Sequence, residues 1–427
     1  MEKARKKKAE SQGGARAQML IPLLGVLATV KGALLDLVIG SGLEVLQLLL
    51  EQDRELLCGA RYHHDADRKA SRAGYAPGEL VLGGRRVTVK RPRARTSDGK
   101  KEVPLPSWEK FSIEDPLNAR AVEQMVLGVA TRKYERSLEP LPKGTQSRGT
   151  SKSAVSRRFV EATSEVLAEW LGRSLAHLSL AALMIDGIVC GEHTVLVALG
   201  IDDQGTKHVL GLWEGATENA VACTTMLSNL VERGLNTQRS ILVVIDGSKA
   251  LAKAVRDVFG KRALVQRCQV HKKRNVLEHL PERMRSSTGD VISTAYRCTD
   301  PKRALEMLKK LARQLEHKHP SAASSLREGL EETLTVLSFS LPDALRRTLA
   351  TTNPIENLNS VIRKIHHNVK RWQDGTMVLR WVAVGLHEAT KGFHRLKGHE
   401  GMPKLVAALR AHGDQLSNPL ASEKKAA

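Results

Sequence analysis

The chain has 427 residues, of which 67 are Lys or Arg and 46 are Asp or Glu, for a formal net charge of +21; that length supports about two to four domains, and that charge points to a polyanionic partner, nucleic acid first and an anionic membrane surface second. Aromatics make up only 3%, so the cores must be built from Leu, Val, Ile and Ala. The five cysteines (Cys58, Cys190, Cys223, Cys268, Cys298) are widely spaced without a Cys-x-x-Cys pair, which excludes a readable disulfide framework or complete zinc finger and matches a reducing cytosol.

Residues 1–17, with Lys6-Lys7-Lys8 and Gly13-Gly14, read as a mobile basic tail, either holding phosphates or simply solvated. Residues 18–110 read as a mainly helical DNA-binding region with a β-hairpin. From Gln18 to Cys58 leucines recur at helical spacing, interrupted at Pro22, Gly25, Gly32 and Gly40 to Gly42, which predicts a few short helices. The longest uncharged run there, Ala17 to Val30, is too short to cross a bilayer, and no clear signal-peptide cleavage site follows. The expectation is a soluble, cytoplasmic protein.

Period-two alternation on either side of Gly83-Gly84 predicts a hairpin over Glu79 to Lys90. A Pro-containing connector follows, and its Arg91, Arg93 and Arg95 are either phosphate contacts or part of a solvated linker. Residues 111–178 read as helical, with Leu117 to Leu138, a break at Pro140 to Gly149, and a helix capped by Ser151 or Ser153. Its first turns carry Arg157 and Arg158, which fit a helix-turn-helix recognition helix or a plain basic face.

Residues 179–270 change character. Leu183 to Val189, Thr194 to Ile201 and His208 to Trp213 read as strands, then Ala220 to Arg233 as a helix, Ser240 to Ile245 as a strand, Ser248 to Phe259 as a helix and Ala263 to Cys268 as a strand. That order predicts an α/β core, a ribonuclease H-like mixed sheet with helices on its faces. Residues 271–350 read as an all-α insertion, and 351–412 as the return to the core followed by C-terminal helices over Val369 to Leu409. Trp372 and Trp381 in that segment are either core or base-stacking residues, and residues 413–427 read as a loose tail.

Three acids stand out. Asp186 in Leu-Met-Ile-Asp-Gly and Asp246 in Leu-Val-Val-Ile-Asp-Gly terminate apolar runs, and Glu356 lies in Thr-Thr-Asn-Pro-Ile-Glu-Asn. A carboxylate at the tip of a buried strand is costly to desolvate unless a cation or donor neutralises it. Taken singly, each Asp-Gly fits a turn and Glu356 a helix N-terminal acid. Taken together they fit a site holding two Mg2+ ions about 3.5–4 Å apart, for attack on a phosphodiester. Asp186 would bridge the ions, while Asp246 and Glu356 would each bind one. Arg363 and Lys364, two helical turns past Glu356, and Lys249, after Asp246, are either phosphate ligands or ordinary helix charges.

Asp186-Gly, Leu212-Trp-Glu-Gly-Ala-Thr-Glu-Asn219, Arg233-Gly-Leu, Asp246-Gly-Ser-Lys-Ala-Leu251, Gln266-Arg-Cys-Gln-Val-His-Lys-Lys-Arg-Asn275 and Thr351-Thr-Asn-Pro-Ile-Glu-Asn-Leu-Asn359 together resemble the Mutator-type bacterial insertion-sequence transposases. Upstream, Gly59-Ala-Arg-Tyr62, Asp67-Arg68 and Ala73-Gly-Tyr75 are similar to that family's DNA-binding region. The likeness runs from about Glu51 to Leu409. It implies a DDE triad at Asp186, Asp246 and Glu356, binding to terminal inverted repeats, and magnesium- or manganese-dependent cleavage and strand transfer. The implied partners are double-stranded DNA, both transposon ends and target, and further copies of the chain, as a homodimer or larger synaptic complex near the bacterial nucleoid. Cys268 and His271 match the family's Cys-x-x-His pair, which alone does not complete a zinc site and is assigned to supporting the active site or DNA. Ile188-Val-Cys-Gly191 departs from the family's more usual aromatic and basic residues, which bears on local substrate contacts rather than on the acid. A catalytically inactive or domesticated DNA-binding regulator, and a free nuclease, are the alternatives.

Overall fold

The computed structural model describes residues 40–417, apart from 64–67, 83, 114–116, 140, 142–143 and 368. The expectations for residues 1–17 and 18–39, and for the tail from 418 onward, lie outside the described residues. The chain divides into two units, Met1–Ala162 and Thr163–Ala427.

In the first unit, helix α1 occupies residues 40–58 without a break at Gly42, contrary to the expected interruption there. Strands β1 (Ala70–Leu82) and β2 (Arg85–Thr96) pair antiparallel from Leu82↔Arg85 to Ala70↔Thr96. This hairpin is longer than expected, and Arg91, Arg93 and Arg95 lie on β2 rather than in a connector. Pro92 faces Tyr75 beside a register shift between Arg72 and Tyr75. A bulge is where a strand tolerates a residue that cannot donate to the ladder, so Pro92 does not end the strand. Strand β3 (Glu102–Val103) adds to β2 at Arg95↔Glu102.

Helices α2 (Pro106–Ile113) and α3 (Leu117–Val126) follow. The helix expected to run to Leu138 stops at Val126. Gly128 takes φ +91, and short 3-10 turns at Thr131–Lys133 and Glu135–Ser137 replace it. Between those turns the buried Tyr134 donates its hydroxyl to the Gly84 carbonyl over 2.9 Å, so a tertiary anchor overrides the local helical pattern. Strand β4 (Ser147–Arg148) joins β2, and α4 (Lys152–Gly172) follows with Ser151 Oγ accepting from the Ala154 amide at 3.4 Å.

The second unit holds β5 (Leu180–Cys190), β6 (His193–Asp202), β7 (Lys207–Glu214), α5 (Ala220–Glu232), β8 (Ile241–Ile245), α6 (Lys249–Phe259) and β9 (Ala263–Arg267). The sheet order is β7-β6-β5-β8-β9. The first three strands form an antiparallel meander, and β8 and β9 run parallel to β5. Every element expected between Leu183 and Cys268 is present, because buried strands of Val, Ile and Leu announce themselves by continuous apolar runs.

Side chains alternate across this sheet. Leu183, Ile185, Val243 and Ile245 face α5 and α6, whereas Met184, Ile188, Leu242 and Val244 face the opposite layer. Each such fully buried side chain stabilises the fold by about 1.5–3 kcal/mol. The helices α7 (Gln269–Glu278), α8 (Glu282–Arg297), α9 (Pro301–Glu316), α10 (Pro320–Arg327) and α11 (Asp343–Leu349) follow in sequence. A separate core formed by Val276, Ile292, Leu308, Leu311, Ala323 and Leu326 gives most of this segment its own interior. Finally, α12 (Asn353–His366), α13 (Gly375–Lys391) and α14 (Met402–Ser417) cover the Met184 face of the sheet. Helix α14 continues past Gly413, and His412 Nδ1 pairs with Ser240 Oγ at 3.0 Å.

Candidate active site

Strand register sets the site. Met184 of β5 stands beside Val244 of β8, and Val244 stands beside Gln266 of β9. Two residues further along, Asp186, Asp246 and Cys268 therefore form a row across three adjacent parallel strands. The hydrogen bond from the Cys268 amide to the Ile245 carbonyl, 2.8 Å, carries the pairing to that level. Side chains two apart share a face. Asp186 and Asp246 thus project with Met184 and Val244 towards the layer of α12, α13 and α14.

Helix α12 crosses above this row and is tied down at its N-terminus and at its middle. At its N-terminus the Thr352 amide and hydroxyl lie 3.5 and 3.3 Å from Cys268 Sγ, and seven residues later Asn359 Nδ2 donates to Asp186 Oδ2 over 2.8 Å. Seven helical residues rise about 10.5 Å and two strand spacings cover about 9.6 Å, so the helix reaches from the end of β9 to β5, with Glu356 between its two ties. The acid separated from the others by more than a hundred residues is brought back by packing alone.

Electrostatics describe the same convergence. Burial pushes the Asp186 carboxyl above the usual carboxylate range; the Gly187 amide and Asn359 pull it down, and the charges of Asp246 and Glu356 push it up. Asp246 also has a structural task, because its Oδ1 accepts from the Ser248 amide at 3.0 Å and shapes the turn into α6. Glu356 Oε1 accepts from the Thr352 hydroxyl at 2.5 Å and lies 3.7 Å from His271 Nε2.

Cys268 precedes α7 and His271 sits in that helix's first turn. Burial pushes the Cys268 thiol up, but hydrogen bonds from His271 and Thr352 outweigh it and hold the thiol below its ordinary value. The bond to Cys268 raises His271 above the ordinary histidine value against burial, helped by the charges of Cys268, Glu356 and Asp246. An open groove beside Asp246 is lined by Glu218, Lys249, His271, Asn275 and Glu328.

The basic candidates fare differently. Lys249 is exposed with Nζ 3.2 Å from Glu328 Oε1, and Arg363 and Lys364 are exposed on α12. In the first unit Arg91 and Arg93 both bind Glu102, at 2.7 and 2.9 Å, while Arg95 is exposed. Arg157 is exposed, whereas Arg158 turns back onto the Gly149 carbonyl. Trp381 is buried in the core, and Trp372 is partly buried with its ring edge-to-face on His366, centroids 5.5 Å apart.

Sequence reasoning misses Thr352 and Asn359. Both flank Glu356 at helical spacings of four and three residues, and that spacing is the signal from which they could be found.

A mixed sheet with helices on both faces, presenting acids from adjacent strands and a crossing helix, defines an α/β protein with a carboxylate-centred site. The chain belongs to the Mutator family of transposases, whose model matches residues 29–395. It is similar to the transposase for insertion sequence element IS256 in transposon Tn4001 from Staphylococcus aureus, 28% identical over 80% of this chain and 86% of that one. The transposase for ISRM5 from Rhizobium meliloti is 30% identical over 81% of this chain and 86% of its own length. The IS1081 transposase of Mycobacterium tuberculosis is 25% identical over 88% of this chain and 90% of its own. This is a bacterial insertion-sequence transposase. Among the described residues no helix is long and apolar enough to cross a membrane.

Proposed function

We propose that this transposase binds the terminal inverted repeats of its element and catalyses metal-dependent DNA strand cleavage and strand transfer through Asp186, Asp246 and Glu356. The observation that carries the reading is the row of Asp186 and Asp246 beneath α12, with the Asn359 bond fixing that helix to Asp186. The antiparallel meander followed by two parallel strands supports a ribonuclease H-like core, with the α7 to α11 segment as its insertion.

Mg2+ fits the donor set, with Mn2+ as a substitute. Three carboxylates gather here, burial disfavours the charge of Asp186, and Asn359 Oδ1 is buried without a partner one turn from Glu356. Bound ions would supply charge neutralisation and activation of the attacking oxygen. The chain's own residues do the positioning. Asn359 orients Asp186, Thr352 orients Glu356, and Lys249, Arg363 and Lys364 hold phosphates of the transposon end. Regions 18–110 and 111–178 read the DNA through Arg91, Arg93, Arg95, Arg157 and Arg158. Joining two ends calls for a homodimer or larger assembly on the nucleoid.

The test is cleavage of a labelled transposon end in Mg2+ by Asp186→Ala, Asp246→Ala and Glu356→Ala variants. Each should lose cleavage by about a hundredfold or more while end binding by anisotropy persists. Cutting by any of the three at the unsubstituted rate would falsify the assignment of that acid.

A further inference from the structure

Cys268, His271 and Glu356 each offer one ligand atom, and the three atoms lie within 4.8 Å of one another. Two of the three side chains are partly exposed, so the cluster opens to solvent rather than sealing itself. We propose that these residues form a binding site for a thiophilic divalent cation of the Zn2+ class, and that occupation of this site withdraws Glu356 from the acids it serves.

The geometry and the donor chemistry agree. Two ligands of one tetrahedral zinc ion stand roughly 3.3–3.8 Å apart, given bond lengths near 2.0–2.3 Å. His271 Nε2 and Glu356 Oε1 are 3.7 Å apart. Cys268 immediately precedes α7 and His271 is its third residue, so both donors face the same way at the start of that helix. Sulfur and imidazole donors select zinc-like ions over Mg2+, which takes oxygen ligands. Sequence spacing offers only the Cys-x-x-His pair, and packing of α12 against α7 adds the third donor.

The Thr352 hydroxyl now connects the cluster. It donates to Glu356 Oε1 at 2.5 Å and lies 3.3 Å from Cys268 Sγ and 3.4 Å from His271 Nδ1. A cation bound to Sγ, the imidazole and Oε1 displaces this hydroxyl and takes over the carboxylate oxygen. Three protein ligands leave a fourth position for water from the groove that His271 lines with Asp246. The binding claim is independent of catalysis, whereas the inhibitory consequence rests on Glu356 being a catalytic acid.

Titration of the full chain with Co2+, followed by absorbance, tests the site. The expected result is a sulfur-to-cobalt charge-transfer band saturating at one ion per chain and displaced by Zn2+. Cys268→Ser should remove the band, and His271→Ala and Glu356→Gln should each weaken Co2+ binding by about tenfold or more. No band in the unsubstituted chain overturns the site, as does a band whose affinity is unchanged in both His271→Ala and Glu356→Gln. In a second arm Zn2+ is added to Mg2+-supported cleavage. It should inhibit the unsubstituted chain and leave the rate of Cys268→Ser at its own starting value; a cobalt band without zinc inhibition overturns the coupling to Glu356. A chain that binds cobalt as expected but cleaves no transposon end in any metal counts against the proposed function and leaves the site standing.

Discussion

Asn359 donates from Nδ2 to Asp186 Oδ2 over 2.8 Å, and this bond joins the helix that carries Glu356 to the strand that carries the first acid. Asn359 is fully buried, so the bond is made out of contact with water, where a lost donor is not replaced by solvent. Register alone sets Asp186 beside Asp246. Only the docking of α12 brings Glu356 to them, and Asn359, together with the Thr352 contacts to Cys268, fixes where along the row the helix comes to rest.

Removing that donor tests the arrangement. Asn359→Ala leaves Asp186 Oδ2 without its side-chain partner and opens a small polar void, at a cost of about 1–3 kcal/mol in stability. Under the metal-holding role proposed for Asp186, cleavage should fall by about 10–100-fold. Asn359→Asp should be worse, since it adds a fourth negative charge to the cluster. Rates on a labelled end, with melting curves alongside, check both; full activity in Asn359→Ala would remove it from the positioning of Asp186.

The raised pKa of Asp186 makes a signed prediction about pH. Burial is the leading cause, so the folded protein holds the Asp186 proton more tightly than the unfolded chain does. Stability from this group is fully present below its unfolded pKa and is lost as pH rises through the folded value. At neutral pH without divalent ions the charged carboxylate is a liability. Asp186→Asn, which keeps an oxygen for Asn359, should therefore melt above the unsubstituted chain at pH 7 in EDTA. The difference should shrink on acidification through the carboxylate range, and Mg2+ should raise the melting point of the unsubstituted chain more than that of the variant. Equal melting points at pH 7 would show that burial of the charge is not costly.

What can be read from the sequence follows from where each signal resides. Ile241 to Ile245 and Leu180 to Ile185 are continuous buried runs, so β8, β5 and the acids that directly follow those runs are visible locally. Pro92 conceals the second half of β2, because the bulge opposite it that makes it tolerable is a property of the partner strand. The stop of α3 at Val126 follows from Gly128 and from the Tyr134 bond to Gly84, a residue fifty positions away. Gly413 reads as the start of a tail, yet the helix continues because its neighbour His412 holds Ser240. Asn359 is in plain view in Asn-Leu-Asn. Its meaning depends on a partner 173 residues earlier that only α12 docking supplies.

The helical segment between the second and third acids is fastened to the sheet by charge. Arg267, at the end of β9, has a guanidinium only 7% exposed, with Nε bonded to Glu332 Oε2 at 2.5 Å and Nη1 to the Gly247 carbonyl at 3.2 Å. Glu332→Gln removes the nearer of two counter-charges and leaves a nearly buried cation with neutral acceptors and only the Glu328 carboxylate, 3.9 Å away. The expected loss is about 1.5–3 kcal/mol, less than for a fully buried pair because Glu332 is itself partly exposed. Denaturant melts measure it. Because Gly247 adjoins Asp246, cleavage should weaken as well, and a variant with unchanged midpoint would mean that water already satisfies Arg267.

Glu102 restrains the basic face of the first unit. It binds Arg91 and Arg93, and the bond from Arg93 first, then the charges of Arg91, Arg93 and Arg95, hold its carboxyl below the usual range. Phosphates offered to this strand must compete with an internal carboxylate. Glu102→Gln adds one net positive charge and frees two guanidinium groups, so duplex binding should tighten at low salt. Every additional phosphate neutralised should steepen the fall of log K with log salt by about 0.9, while Arg95→Ala should lower the slope by a similar amount. Anisotropy of a labelled duplex across a salt series reads both changes. If Arg91→Ala and Arg93→Ala together, in the Glu102→Gln background, leave affinity and slope where they were, this strand face is not the surface that meets DNA, and binding must be sought at Arg157 and its helix.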